Sequence, residues 1–252
     1  MMACLFPLAA HAQMAAGHFT DITASAGIHF VHNNGAFGEK YLPESLGPGG
    51  AFIDYDNDGY PDILLVNGEN WPGHPRTAST LKLYHNNGNG TFTDISAGAG
   101  AAITVATAGR GLAIGDLWND GQISAVISNM NAPPSLLVNQ LRSPNHWVGL
   151  RTIGTKSNRD GVGARLAVKV GSRMFVDEVR SGSSYDSNSD IRIHFGLGPA
   201  TKIDWVEVCW PSGLNERFAK IKVDAIQTLK EGSGSRVPEG EKSDKGPRKV
   251  VQ

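Results

Sequence analysis

Apolar residues along this chain fall into short runs and period-two alternation, not the three-to-four spacing of an amphipathic helix. "GAFID" and "DILLV" are two short apolar runs flanking the polar stretch "DYDNDGYP", which predicts two strands joined by a loop. "TLKLYH" sets Leu81, Leu83 and His85 against Lys82 and Tyr84, and "NNGNG" closes it as a turn. Further on, "ARLAVKV" places Leu166, Val168 and Val170 opposite Arg165, Ala167 and Lys169. Gly171-Ser172 then predicts a hairpin into "RMFVDEV". "DIRIHFG" aligns Ile191, Ile193 and Phe195, and "WVEVCW" stops at Pro211-Ser212-Gly213. The pattern predicts an all-β chain.

The strands repeat. "HFTDITASAGI" (18–28) returns as "TFTDISAGAGA" (91–101), and "GPGGAFIDYDNDG" (47–59) returns as "GRGLAIGDLWNDG" (109–121). "LKLYHNNGNG" has a weaker echo in "SLLVNQ" (135–140). Repeats of this length mean stacked supersecondary units, and about three are usually needed to bury a common core. Two units over 18–144 leave strand edges open, so the sequence predicts a compact pair packed on the rest of the chain, or self-association. A second β domain is expected over 145–231, followed by a solvated tail over 232–252 that is poor in apolar residues.

Composition narrows the reading. With 31 Gly and 13 Pro in 252 residues, the chain is turn-rich, and a formal net charge of −1 gives no field suited to nucleic acid. No apolar stretch reaches the roughly 20 residues of a membrane-spanning helix. "MMACLFPLAAHAQ" ends in Ala10-His11-Ala12, an A-x-A site, so residues 1–12 are expected to be the remnant of a signal peptide and the protein secreted or periplasmic. Cys4 would leave with that segment, and Cys209 is expected as a small packed side chain.

The candidate chemistry sits in "DYDNDGYPD" (54–62). Two carboxylates about 5 Å apart repel by about 3 kcal/mol at an effective dielectric near 20, so four of them in a tight turn call for a cation. Asp54, Asp56, Asp58 and Asp62 occupy positions 1, 3, 5 and 9. Gly59 at position 6 allows the reversal that would turn the Tyr60 carbonyl inward. Anionic oxygens in a flexible loop suit Ca²⁺. An EF-hand is excluded by Leu65 at position 12 and by strand-like flanks. The second copy, "DLWNDGQIS", keeps Asp116 and Asp120 but carries Trp118 and Ser124 at positions 3 and 9, so it is expected to bind calcium weakly or not at all.

These repeats resemble the FG-GAP/VCBS family. "NHWVGLRTIGTKSNRDGVGARLAVKVG", "VRSGSSYDSNSD", "HFGLG" and "VEVCWPSG" resemble the ASPIC/UnbV domain, with Asp186 and Asn188 where that family usually has Leu and Gln. Together they are similar to the cartilage acidic protein-like group. The resemblance implies partial β-propeller-like repeats followed by a β-rich ASPIC/UnbV domain, calcium in the acidic hairpin loops, and a role in adhesion to a protein or glycan. It implies no established catalysis.

An enzyme reading rests on the hydroxyl-rich loop 180–190, where Arg180, Ser183, Ser184 and Tyr185 could face a ligand; a self-bonded polar loop is the plainer alternative. Arg159 and Asp160 are expected as a salt-bridged turn, and His85 and His194 as exposed structural histidines. Trp71 and Trp118 are candidates for a sugar platform.

Overall fold

The computed structural model describes residues 19–71, 73, 74 and 79–238; the expected signal remnant and Cys4 lie outside them. The fold is all-β, with two single-turn helices, Leu42–Ser45 and Ala101–Thr104. The first repeat is a four-stranded antiparallel sheet in sequential order: β1 Gly50–Ile53, β2 Asp62–Leu65, β3 Lys82–Asn86 and β4 Phe92–Asp94. The second is a three-stranded sheet: β5 Gly109–Gly115, β6 Ser124–Asn129 and β7 Ala132–Leu137. One face of each packs against the other. Ile53, Leu64, Leu83, Leu112, Ala125 and Ile127 form their shared core.

The C-terminal domain has two sheets. One runs β10 Arg173–Glu178, β9 Arg165–Val170, β12 Trp205–Cys209, β13 Asn215–Phe218 and β15 Ser235–Arg236. The other runs β11 Ile193–Gly198, β8 His146–Ile153 and β14 Ala225–Lys230, with β14 parallel to β8. Val148, Leu150, Leu166, Val168, Phe195, Val206 and Val208 fill the core between them, as the alternation predicts.

One expectation is corrected here and another refined. Tyr84, placed by alternation on the polar side of its strand, is fully buried. The cause is tertiary: the His29 backbone comes up to the Tyr84 phenol, and Phe92 N–H on neighbouring β4 donates to the Ala26 carbonyl at 2.7 Å. The described part of the expected tail, 232–238, is mostly exposed, as a solvated tail would be, yet it is held in place. Gly232 and Gly234 N–H donate to the Glu216 carboxylate (each 2.9 Å), Val237 is buried, and β15 pairs with β13. Residues 239–252 lie outside the described set.

The hydroxyl-rich loop covers a strand edge. Ser187 Oγ accepts from Leu112 N–H (3.2 Å) and donates to the Leu112 carbonyl (2.8 Å). Ile114 N–H donates to Ser189 Oγ (3.2 Å), and Asp190 N–H to the Ile114 carbonyl (2.9 Å). The C-terminal domain thus pairs along β5, which would otherwise present unpaired N–H and C=O groups. The 158–162 turn is closed by Asn158, whose amide bonds both ways with Val162, instead of by the expected Arg159–Asp160 pair.

Candidate metal centre

The acidic loop joins β1 to β2, and its backbone is shaped by Asn57 (φ 62°) and Gly59 (φ 84°). Asn tolerates the left-handed region because its short polar side chain bonds locally, and Gly because it has no Cβ. The second loop repeats both features at Asn119 (φ 60°) and Gly121 (φ 81°). A Cβ on Gly59 would come within 2.9 Å of the Gly196 carbonyl oxygen, so the turn is also fixed by close approach of β11.

This turn gathers carboxylates. Single ligand atoms of Asp54, Asp56 and Asp62 lie within 4.8 Å of one another, and so do those of Asp56, Asp58 and His85. Oxygens on a sphere of about 2.4 Å radius, the usual Ca²⁺–O distance, can be at most about 4.8 Å apart. Either trio is thus close enough to share one ion, with Asp56 common to both.

Part of each carboxylate is committed to the turn. Asp54 Oδ2 accepts Gly59 N–H (3.0 Å), Asp56 Oδ1 accepts Asp58 N–H (3.2 Å), and Asp58 Oδ1 accepts Tyr60 N–H (2.7 Å). Asp62, fully buried, accepts Asn86 N–H on Oδ1 (2.8 Å) and Tyr55 N–H on Oδ2 (3.2 Å). Asp54 Oδ1 is buried with no hydrogen-bond partner. Burial, with repulsion from Asp58, Asp62 and Asp56, pushes the Asp54 carboxyl up to about 8. Burial likewise moves Asp62 to about 6 and raises Asp58, and burial together with the surrounding carboxylates raises the Tyr55 phenol. A buried anionic oxygen without a partner is costly, and a divalent cation beside it would reverse the repulsion.

Tyr60 enters the loop through its N–H. Its ring lies under the Arg173 guanidinium, 4.7 Å away. His85 is not the exposed histidine expected: it is half-buried, with Nδ1 3.2 Å from Asp62 Oδ1 and 3.6 Å from Asp56 Oδ2. The signal in the sequence was the period-two pattern of β3, which puts His85 on the loop side but does not show that β3 lies next to the loop.

The second loop is arranged differently. Asp116 accepts Asp120 N–H (3.1 Å) and Gly121 N–H (2.9 Å), and Asp120 accepts Gln122 N–H (3.1 Å). Arg192, paired with Asp190, donates to the Asp116 carbonyl at 2.7 Å and to Asn119 Oδ1. Among the described residues, the carboxylate groups spaced to hold a metal both belong to the first loop. Trp118 at this second turn is about half exposed, whereas Trp71 packs into a cluster with Phe37 and Tyr41.

The first loop is also a junction. Asn57 Oδ1 accepts from His194 Nε2 (2.7 Å), its Nδ2 donates to the Gly121 carbonyl (3.1 Å), and its carbonyl accepts Gly198 N–H (2.9 Å). Arg173 donates to the Asp58 and Gly59 carbonyls, Asn139 to Tyr55 and Asn145 to Asp56. His194, expected on an exposed face, instead stacks on Trp147 and bonds to the loop; burial holds its imidazole down, at about 4.

Comparison with known proteins fits this layout. The FG-GAP-like repeat family matches residues 54–127, from the first acidic loop into β6, and the ASPIC and UnbV family matches residues 154–236. Residues 54–127 are thus similar to an FG-GAP-like repeat, and residues 154–236 to an ASPIC/UnbV domain. The ASPIC and UnbV match runs through β15, in keeping with the pairing of that strand with β13. A 54-residue stretch of this chain is 44% identical to mouse (Mus musculus) cartilage acidic protein 1, covering 21% of this chain and 8% of the mouse protein. The chain therefore aligns with under a tenth of that relative's length.

Proposed function

We propose that this FG-GAP-like protein is an exported, calcium-stabilised binding module that attaches to a protein or glycan. Asp54, Asp56, Asp58 and Asp62 hold Ca²⁺ in the first loop, with the Tyr60 carbonyl completing the shell; Asp116 and Asp120 form at most a weaker second site. The observation that carries this reading is Asp54 Oδ1, buried and without a partner among three further carboxylates. FG-GAP repeats commonly bind Ca²⁺, and their pairing with an ASPIC/UnbV domain suggests an extracellular-type binding module. Neither family is a typical enzyme family. No helix among the described residues is long and apolar enough to cross a membrane.

Calcium in such a loop does structural work. It cancels repulsion at the junction and fixes the surfaces that the two repeats and the C-terminal domain present. Affinity in the range of extracellular modules, about 10⁻⁴ to 10⁻³ M, is expected. Titration calorimetry with Ca²⁺ tests the site: the parent protein should give a saturating isotherm and Asp56→Ala should give none. A flat trace from the folded parent defeats the reading. Glycan and protein-partner screens run with and without chelator then test attachment.

A further inference from the structure

The two repeats stack with unlike faces in contact. At an offset of 62 residues, Ala51 corresponds to Ala113, Ile63 to Ala125, Leu64 to Val126 and Leu65 to Ile127. The third strands correspond as Leu83 to Leu136 and Asn86 to Asn139. The hydrogen bonds agree, since Asn86 N–H donates to Asp62 and Asn139 N–H to Ser124, the residue in the same place. In the first repeat the face carrying Ala51, Leu64 and Leu83 is packed into the shared core. In the second repeat the equivalent face, Ala113, Val126 and Leu136, points away from it, with Val126 38% and Leu136 53% exposed.

The opposite faces mirror this. Leu112, Ile114, Ala125 and Ile127 of the second repeat pack on the first. Their equivalents, Gly50, Phe52, Ile63 and Leu65, form an open face on which Phe52 is 72% exposed. That face lines a groove of about 760 Å³, whose other wall carries Asp177, Glu178 and Arg180 as well as Gly149 and Ile226. Each open face is thus the counterpart of a face already used inside the chain. The internal contact is a worked template for how the two open faces fit together.

We infer that the open face of the second repeat docks on the open face of the first repeat of another copy of this chain. Apolar faces of this kind mark association sites, and contact between unlike surfaces is heterologous: it grows head-to-tail until a ring closes or a filament forms. The occupant is a second copy because its second repeat presents, in matching order, the equivalents of residues that already pack in this manner.

Sedimentation velocity on the full chain across a range of protein concentrations tests this. The parent should shift to larger species as concentration rises. Phe52→Asp and Leu136→Asp should each stay monomeric at concentrations where the parent associates. Because each variant keeps one intact face, an equimolar mixture should form one-to-one pairs and nothing larger. Val126→Lys serves as a second variant on the same face as Leu136, and circular dichroism with thermal melting checks that every variant is folded. A parent that is monomeric throughout, a folded variant that still associates, or a mixture that stays monomeric overturns the proposal.

Discussion

Asp54 stands out among single residues because its surroundings oppose its charge so strongly. With a carboxyl pushed up to about 8, the metal-free folded protein holds a proton there that the unfolded chain releases near its ordinary value of 3.8. The sign follows: the contribution of Asp54 is full below about pH 4 and is lost as pH rises through about 8. Asp54→Asn should therefore stabilise the chelated protein at pH 8, by about 2 kcal/mol or roughly 4–8 °C in melting temperature, and abolish the calcium isotherm. Calorimetric scans with chelator and with Ca²⁺ read both effects. Because the ion must displace that proton, calcium affinity should fall as pH drops below 8. Glu231 is the opposite case. Against the upward push of burial, hydrogen bonds from Ser212, Ser157, Thr155 and Lys156 hold its carboxyl down, at about 2. Its stabilisation is present above its unfolded value of 4.5 and is lost as pH falls toward 2. Glu231→Gln should cost about 1–3 kcal/mol at pH 7 and flatten the acid limb of a stability–pH curve. The four aspartates were legible in the sequence because alternation in a Gly-containing turn is a local signal. Asn57, His85, Arg173 and His194 were not, since their roles depend on which strands end beside the loop.

The same division holds for elements. Strands that bury one face, such as Leu166, Val168 and Val170 of β9, announced themselves by period two. Residues 183–190 gave no such signal. They pair with β5 largely through side-chain hydroxyls, so the segment reads as a polar loop while it acts as an extra edge strand. Residues 232–238, solvent-exposed as expected, are nonetheless held for a related reason: two backbone N–H groups bound by Glu216 and one buried valine fix the segment without an apolar run. Ser187→Ala removes the side-chain partner of both backbone groups of Leu112. It should cost about 1–2 kcal/mol, and it should speed amide exchange at Leu112 and Ile114 while the amides of β2 are unchanged. Exchange measured by mass spectrometry on peptides covering 109–115 and 62–65 separates local opening of the β5 edge from global destabilisation.

At the scale of the whole molecule, the pair of repeats has one core and the C-terminal domain another, but all meet at one loop. Backbone carbonyls of Tyr55, Asp56, Asn57, Asp58 and Gly59 accept from Asn139, Asn145, Gly198 and Arg173, and the Asn57 side chain links His194 to Gly121. The loop side chains gather around the proposed cation site while its backbone holds the neighbouring elements, so the order of one sets the order of the other. A ligand that binds only the folded loop stabilises whatever opens together with it. If calcium acted on the first repeat alone, its effect would end at residues 50–94. The geometry instead predicts that adding Ca²⁺ slows exchange at the Gly198 amide in β11 and at the backbone around Asn139 and Asn145, as well as within 54–62. Arg173→Ala and His194→Ala should weaken that transmission to β11 while leaving the calcium isotherm in place. Protection confined to the first repeat on calcium addition would show instead that the loop and its neighbours open independently.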